Sequence, residues 1–186
     1  MRALPRSGVL AIILAAALLG ACKDEVDPAD GACEDYCELT MRNCQGVVAQ
    51  YTDLSTCKAT CAAMPIGDPT NPRGHTIACR TFQAAVAEDP RTAACTAAGP
   101  GGDGTCGANC ESFCAIAIEL CGDQPGSFSD LGTCMTACAT YDTTELYDAS
   151  DIGGDSFACR LYHLTAASTN PGTHCPHIVA ASPVCL

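Results

Sequence analysis

The cysteines of this chain occur as two copies of one eight-cysteine pattern. The first copy is Cys33, Cys37, Cys44, Cys57, Cys61, Cys79, Cys95 and Cys106; the second is Cys110, Cys114, Cys121, Cys134, Cys138, Cys159, Cys175 and Cys185. The first five correspond at an offset of 77 residues, the next two at 80 and the last at 79. Sixteen of the 17 cysteines are placed in this way. So dense a pattern belongs to small domains whose apolar core does not suffice alone and is stapled by disulfides. Zinc ribbons and redox motifs need C-x2-C pairs, which the sequence lacks.

The remaining cysteine, Cys22, follows a leader. Arg2 and Arg6 form a basic start, and Val9 to Leu19 is an apolar run of 11 residues. A bilayer-spanning helix needs about 20 residues, so this run has the shape of a secretion signal. Leu19-Gly20-Ala21-Cys22 resembles a bacterial lipobox. That resemblance implies cleavage before Cys22 and lipidation of its sulfur, and two or more acyl chains are enough for stable anchoring. Lys23 after the lipidated residue points to the outer rather than the inner membrane. Export places the other cysteines in an oxidising compartment, as disulfides.

Four segments follow: 1–21 a lipoprotein signal peptide, 22–32 a polar tether, 33–106 module 1 and 110–185 module 2. The tether contains Pro28 and Gly31. Only Gly107, Ala108 and Asn109 separate the modules, so the two are expected to touch. Without the leader, 7 basic residues face 21 acidic ones, and module 2 has Arg160 as its one cation. A polyanion such as nucleic acid is excluded as a partner.

The spacing predicts a mainly α fold of two tandem disulfide-rich helical modules. At about 100° per residue, Cys33, Cys37 and Cys44 fall within about 40° on one helix face. Cys57 and Cys61 form a second i, i+4 pair after Thr52 or Asp53 as N-cap. A third helix is expected over 76–87, and over 156–167 in the second copy with Asp155 as its cap. The stretches around Pro100-Gly101-Gly102 and Asn170-Pro171-Gly172 read as loops. Tyr36/Phe113, Phe82/Tyr162, Leu39/Ile116 and Ile77/Phe157 recur at matching positions and read as core.

Two antiparallel helices with C-x3-C pairs cross-link as a ladder, Cys33 to Cys61 and Cys37 to Cys57. In spacing this resembles the helical hairpins of plant defence peptides. Cys44 lies beyond the rungs and is assigned to Cys79, leaving Cys95 for Cys106. The second copy then pairs Cys110–Cys138, Cys114–Cys134, Cys121–Cys159 and Cys175–Cys185. Eight cysteines allow roughly a hundred pairings, so the last two assignments in each copy rest on position alone.

The lipobox, the paired C-x3-C and the C-R-x-aromatic helix together resemble a group of uncharacterised cysteine-rich lipoproteins of Gram-negative bacteria with tandem modules. The resemblance implies a scaffold and brings no activity with it.

The copies differ where chemistry is concerned. His163, His174 and His177 of module 2 replace Gln83, Ala94 and Ala97 of module 1. Three imidazoles from a helix and the following loop suit Zn²⁺ or Cu²⁺. Surface or hydrogen-bonded histidines are the plainer alternative. The acidic stretch Asp142, Glu145, Asp148, Asp151 and Asp155 lacks calcium-loop spacing and reads as a solvated loop. No nucleophile elbow, H-E-x-x-H or phosphate loop occurs, so no catalytic residue is assigned and an enzyme is not expected. The expectation is a lipid-anchored envelope protein with a binding or structural role toward an unidentified protein or envelope ligand. Metal binding through the histidines is the alternative, and an inhibitor or toxin-like module a further one, which a protease-inhibition assay would test.

Overall fold

The computed structural model describes residues 28–87 and 93–186. These form eight α-helices and two short 3-10 turns, with no strand among the described residues. Module 1 consists of α1 (Pro28–Asn43), α2 (Leu54–Cys61), α3 (Ile77–Val86) and α4 (Ala93–Ala98). Module 2 consists of α5 (Asn109–Cys121), α6 (Leu131–Cys138), α7 (Phe157–Ala167) and α8 (Pro171–His174), with a 3-10 turn at Cys175–His177.

The helix starts follow from side-chain caps. The Asp53 carboxylate accepts from Thr56 N, and Asp130 accepts from Thr133 N at the matching place in the second copy. The Thr76 hydroxyl caps α3 through Cys79 N, and the Ser156 hydroxyl caps α7 through Cys159 N. Ser156, not the expected Asp155, is therefore the α7 cap, because Asp155 is engaged by Arg160 at 2.8 Å. Helix α1 starts five residues before module 1 was expected to begin, so the end of the tether is helical. A proline is compatible with a first helical turn, where its missing N–H has no partner to lose.

The ladder is present in both copies. Cys33–Cys61 and Cys37–Cys57 tie α1 to α2, and Cys110–Cys138 and Cys114–Cys134 tie α5 to α6. The remaining expected pairs are exchanged. Cys44 bonds Cys95 and Cys79 bonds Cys106, in place of Cys44–Cys79 and Cys95–Cys106. Likewise Cys121 bonds Cys175 and Cys159 bonds Cys185, in place of Cys121–Cys159 and Cys175–Cys185. The cause is that the tail is not a plain loop. In module 1, α4 is an alanine-rich turn of good helix formers. In module 2, Pro171 opens α8, where a loop was expected at Asn170-Pro171-Gly172. Each short helix turns back to the end of the module's first helix and delivers its cysteine there. The last cysteine then returns to the third helix.

The core runs through both modules. It joins Tyr36, Tyr51 and Ile77 to Phe113, Ile116, Phe157, Leu161 and Leu164. The repeated aromatics pair edge to face, Tyr36 with Tyr51 at 6.2 Å and Phe113 with Phe128 at 6.5 Å. Phe82, expected in the core, is instead 48% exposed and lines an open apolar groove with Ile66 and Pro69. Its counterpart Tyr162 and Leu39 are only partly buried.

At the seam, Tyr147 of module 2 is buried and donates to the Gln50 carbonyl at 3.2 Å. Ala149 N donates to Ala49 O, and the Thr60 hydroxyl donates to Thr165 O at 3.4 Å. The acidic stretch is the loop that carries Tyr147. Its carboxylates Asp142 and Asp148 accept from Thr144 N and Ser150 N, fixing local turns.

Candidate metal centre

Helix α7 places His163 two turns after its Ser156 cap. The side chain points inward and is 5% exposed. Helix α8 ends on His174, and the 3-10 turn that follows ends on His177. Between them Cys175 is bonded to Cys121, so the turn carrying both histidines is fastened to the end of α5. Both residues are half-buried. The three histidines picked out by comparing the two copies thus meet in space.

Their Nδ1 atoms converge. His163 Nδ1 lies 2.8 Å from His174 Nδ1 and 3.3 Å from His177 Nδ1. The His163 and His174 rings are stacked at 5.1 Å, while the His177 ring stands edge-on to both. His163 Nε2 is buried with no hydrogen-bond partner. Hydrogen bonding alone satisfies this arrangement poorly. A single Nδ1 proton on His163 serves one neighbouring nitrogen and leaves the other facing it unpaired. A cation among the three accepts every lone pair. Zinc–imidazole bonds of about 2.0–2.1 Å put tetrahedral ligand nitrogens about 3.3 Å apart, close to the separations here.

The electrostatics agree with neutral ligands. Burial first, then the neighbouring His177 and His174, lowers the His163 pKa to about 4. Burial and His177 lower that of His174. Unprotonated imidazole is the form that ligates. Beside this trio, Cys159 Sγ and Cys185 Sγ form a group with His163 whose ligand atoms lie within 4.8 Å of one another.

Two residues that the sequence reading left without a role occupy the centre of each module. Arg80 and Arg160 are the largest fully buried side chains. Arg80 donates to the carbonyls of Gly99, Pro100 and Thr76. Arg160 donates to those of Val179, Ala180, Cys185 and Ser156, and its guanidinium lies 4.1 Å from the Tyr141 ring centre. Each arginine gathers the tail of its module onto the third helix. In module 2 this holds the strand of chain that follows His177. The signal was visible: Ala-Cys-Arg recurs, and Arg160 is the one lysine or arginine of module 2.

An all-helical tandem of disulfide-laddered modules, one of them carrying a histidine cluster, is the class of protein that this geometry defines. The BfoA family C-terminal domain matches twice, over residues 24–111 and 107–182, and the chain belongs to that family. The two matches overlap at the seam between the modules. No curated protein and no solved structure matches the chain.

Proposed function

We propose that the chain is a lipid-anchored, non-enzymatic envelope protein whose second module binds one Zn²⁺ or Cu²⁺ ion through His163, His174 and His177. The observation that carries the metal reading is the convergence of three Nδ1 atoms from α7, α8 and the 3-10 turn after it. The backbone around them is held by Cys121–Cys175 and Cys159–Cys185, so the ligands are positioned before any ion arrives. Preorganisation of this kind lowers the ordering cost of binding. The anchor is supported by the sequence: Cys22 follows a short apolar leader and a small-residue pair, and lies outside the described residues. No helix among the described residues is long and apolar enough to cross a membrane.

Calorimetric titration of the oxidised chain with Zn²⁺ is expected to give one ion per chain. His177→Ala should weaken binding at least tenfold while leaving helicity unchanged, since disulfides rather than metal hold the module. Affinity should fall on acidification, because ligating histidines must shed their protons. Absence of saturable binding, or binding indifferent to His177→Ala, would overturn the metal reading.

A further inference from the structure

His163 belongs to two ligand groups at once. One is the imidazole trio; the other is the group it forms with Cys159 Sγ and Cys185 Sγ, all within 4.8 Å. No other bridge among the described residues has a histidine in such a group. The corresponding bridge of module 1, Cys79–Cys106, belongs to no such group, and Gln83, Ala94 and Ala97 stand where module 2 has its histidines. The bridge is thus common to both modules, and the three histidines gathered beside it belong to module 2 alone.

We propose that Cys159, Cys185 and His163 form a second, redox-controlled metal site that overlaps the three-histidine site. The inference rests on the reading of the histidine trio as a metal centre. While the bridge is closed, its sulfurs carry no charge and ligate weakly, and the ion is held by imidazoles. A dithiol reductant supplies two electrons and two protons. The S–S bond breaks, two thiols form, and the reductant closes its own disulfide. A divalent ion then displaces both thiol protons to solvent and gains two thiolate ligands beside His163. Exchange with a disulfide oxidant, which accepts the two electrons and leaves as its two thiolates, re-forms the S–S bond and returns the ion to the imidazoles. Thiolates suit Zn²⁺ and soft copper better than imidazole alone, so the reduced form binds more tightly.

The bridge is buried, with Cys159 at 0% and Cys185 at 1% exposure. The route to it is the short irregular tail. That segment is held by the Ser182 hydroxyl accepting from Cys185 N and by the Cys185 carbonyl accepting from Arg160. Local opening of such a segment costs less than global unfolding. Coupling is reciprocal: whatever reduction adds to metal affinity, metal adds to the ease of reduction. Each tenfold gain in affinity raises the midpoint potential of this two-electron bridge by about 30 mV.

The test uses the full chain with Co²⁺ as a spectroscopic probe, anaerobically, before and after reduction by a phosphine. Alkylation and peptide mapping identify which bridges have opened. The oxidised chain should bind one Co²⁺ without a thiolate charge-transfer band and lose it in His177→Ala. The reduced chain should bind one Co²⁺ at least tenfold more tightly, with that band, keep it in His177→Ala and lose it in Cys159→Ser. In the wild-type chain, where no variant needs to fold, metal should raise the midpoint potential of Cys159–Cys185 and leave Cys79–Cys106 unmoved. Equal affinity in both states with no thiolate band would overturn the redox site and leave the histidine site standing. A band that survives Cys159→Ser, or equal shifts of both bridges, would also overturn it. Binding in neither state would overturn both readings.

Discussion

At the scale of single residues, the two buried arginines show how one role is performed with different partners. Arg160 pairs with the Asp155 carboxylate at 2.8 Å. The equivalent of Asp155 in module 1 is His75, whose Nδ1 lies 3.1 Å from Arg80 Nη2 and must accept from it. That fixes the ring proton on Nε2, which is buried and has no partner. An unmade bond of this kind costs about 1–3 kcal/mol. Burial, then the Arg80 charge, lowers the His75 pKa to about 4. Between the ordinary value of about 6.5 and about 4, the unfolded chain binds the proton and the folded chain does not, so stability falls as pH falls through that window. His75→Asp gives Arg80 a carboxylate and removes the orphaned N–H. The melting temperature should rise by about 2–4 °C at pH 7, as for a gain near 1 kcal/mol. The advantage should widen by pH 5. A variant less stable than wild type at both pH values would refute this account of Arg80.

At the scale of elements, legibility followed locality. The helices and ladder rungs could be read because i, i+4 spacing is a property of the helix itself. Cys33, Cys37, Cys57 and Cys61 needed only two antiparallel helices to find their partners. Cys44 and Cys79 depended on where a tail more than a dozen residues away turns back, and spacing does not encode that. The short helices α4 and α8 were missed for a related reason: a six-residue stretch with four alanines and a Pro-Gly pair carry too little periodicity to announce a helix. The histidine centre was legible as a difference between copies, whereas the nearby Cys159–Cys185 bridge was not, since it depended on the misassigned pairing. Non-reducing peptide mapping should recover Cys44–Cys95 and Cys121–Cys175. Chain entropy makes the long bridge the more stabilising. Replacing Cys44 and Cys95 together by serine should cost about 4 kcal/mol, against about 3 kcal/mol for Cys37 with Cys57. Denaturant unfolding of the two double variants checks the order, and a larger loss at the rung would contradict it.

At the scale of the whole molecule, two copies have become one packed body. If Cys22 is the attachment point, labelled palmitate should enter the wild-type protein, and Cys22→Ala should abolish both labelling and membrane fractionation. Equal membrane association of that variant would remove the lipid from the reading. The fusion of the copies has its own test. Separate sequence patterns suggest modules that fold alone, yet the core is continuous from Tyr36 to Leu164. The acidic loop supplies the join, because Tyr147 leaves its exposed neighbours and buries its ring against the Gln50 segment, 6% exposed. Its hydroxyl donates to the Gln50 carbonyl, and the Gln50 side chain donates back to the Tyr147 carbonyl at 3.4 Å. Truncating a buried aromatic costs about 3–5 kcal/mol. The loss at Tyr147→Ala falls on the seam, since the bridges of each module stay within that module. The wild-type chain should therefore unfold in one cooperative transition. Tyr147→Ala should broaden that transition or split it in two, with fluorescence and circular dichroism no longer coincident. A variant that lost stability yet kept a single sharp transition would mean that α2 against α7, rather than Tyr147, couples the modules. Thr60→Ala with Ser168→Ala, which removes the hydroxyls crossing between those helices, would then be expected to produce the split.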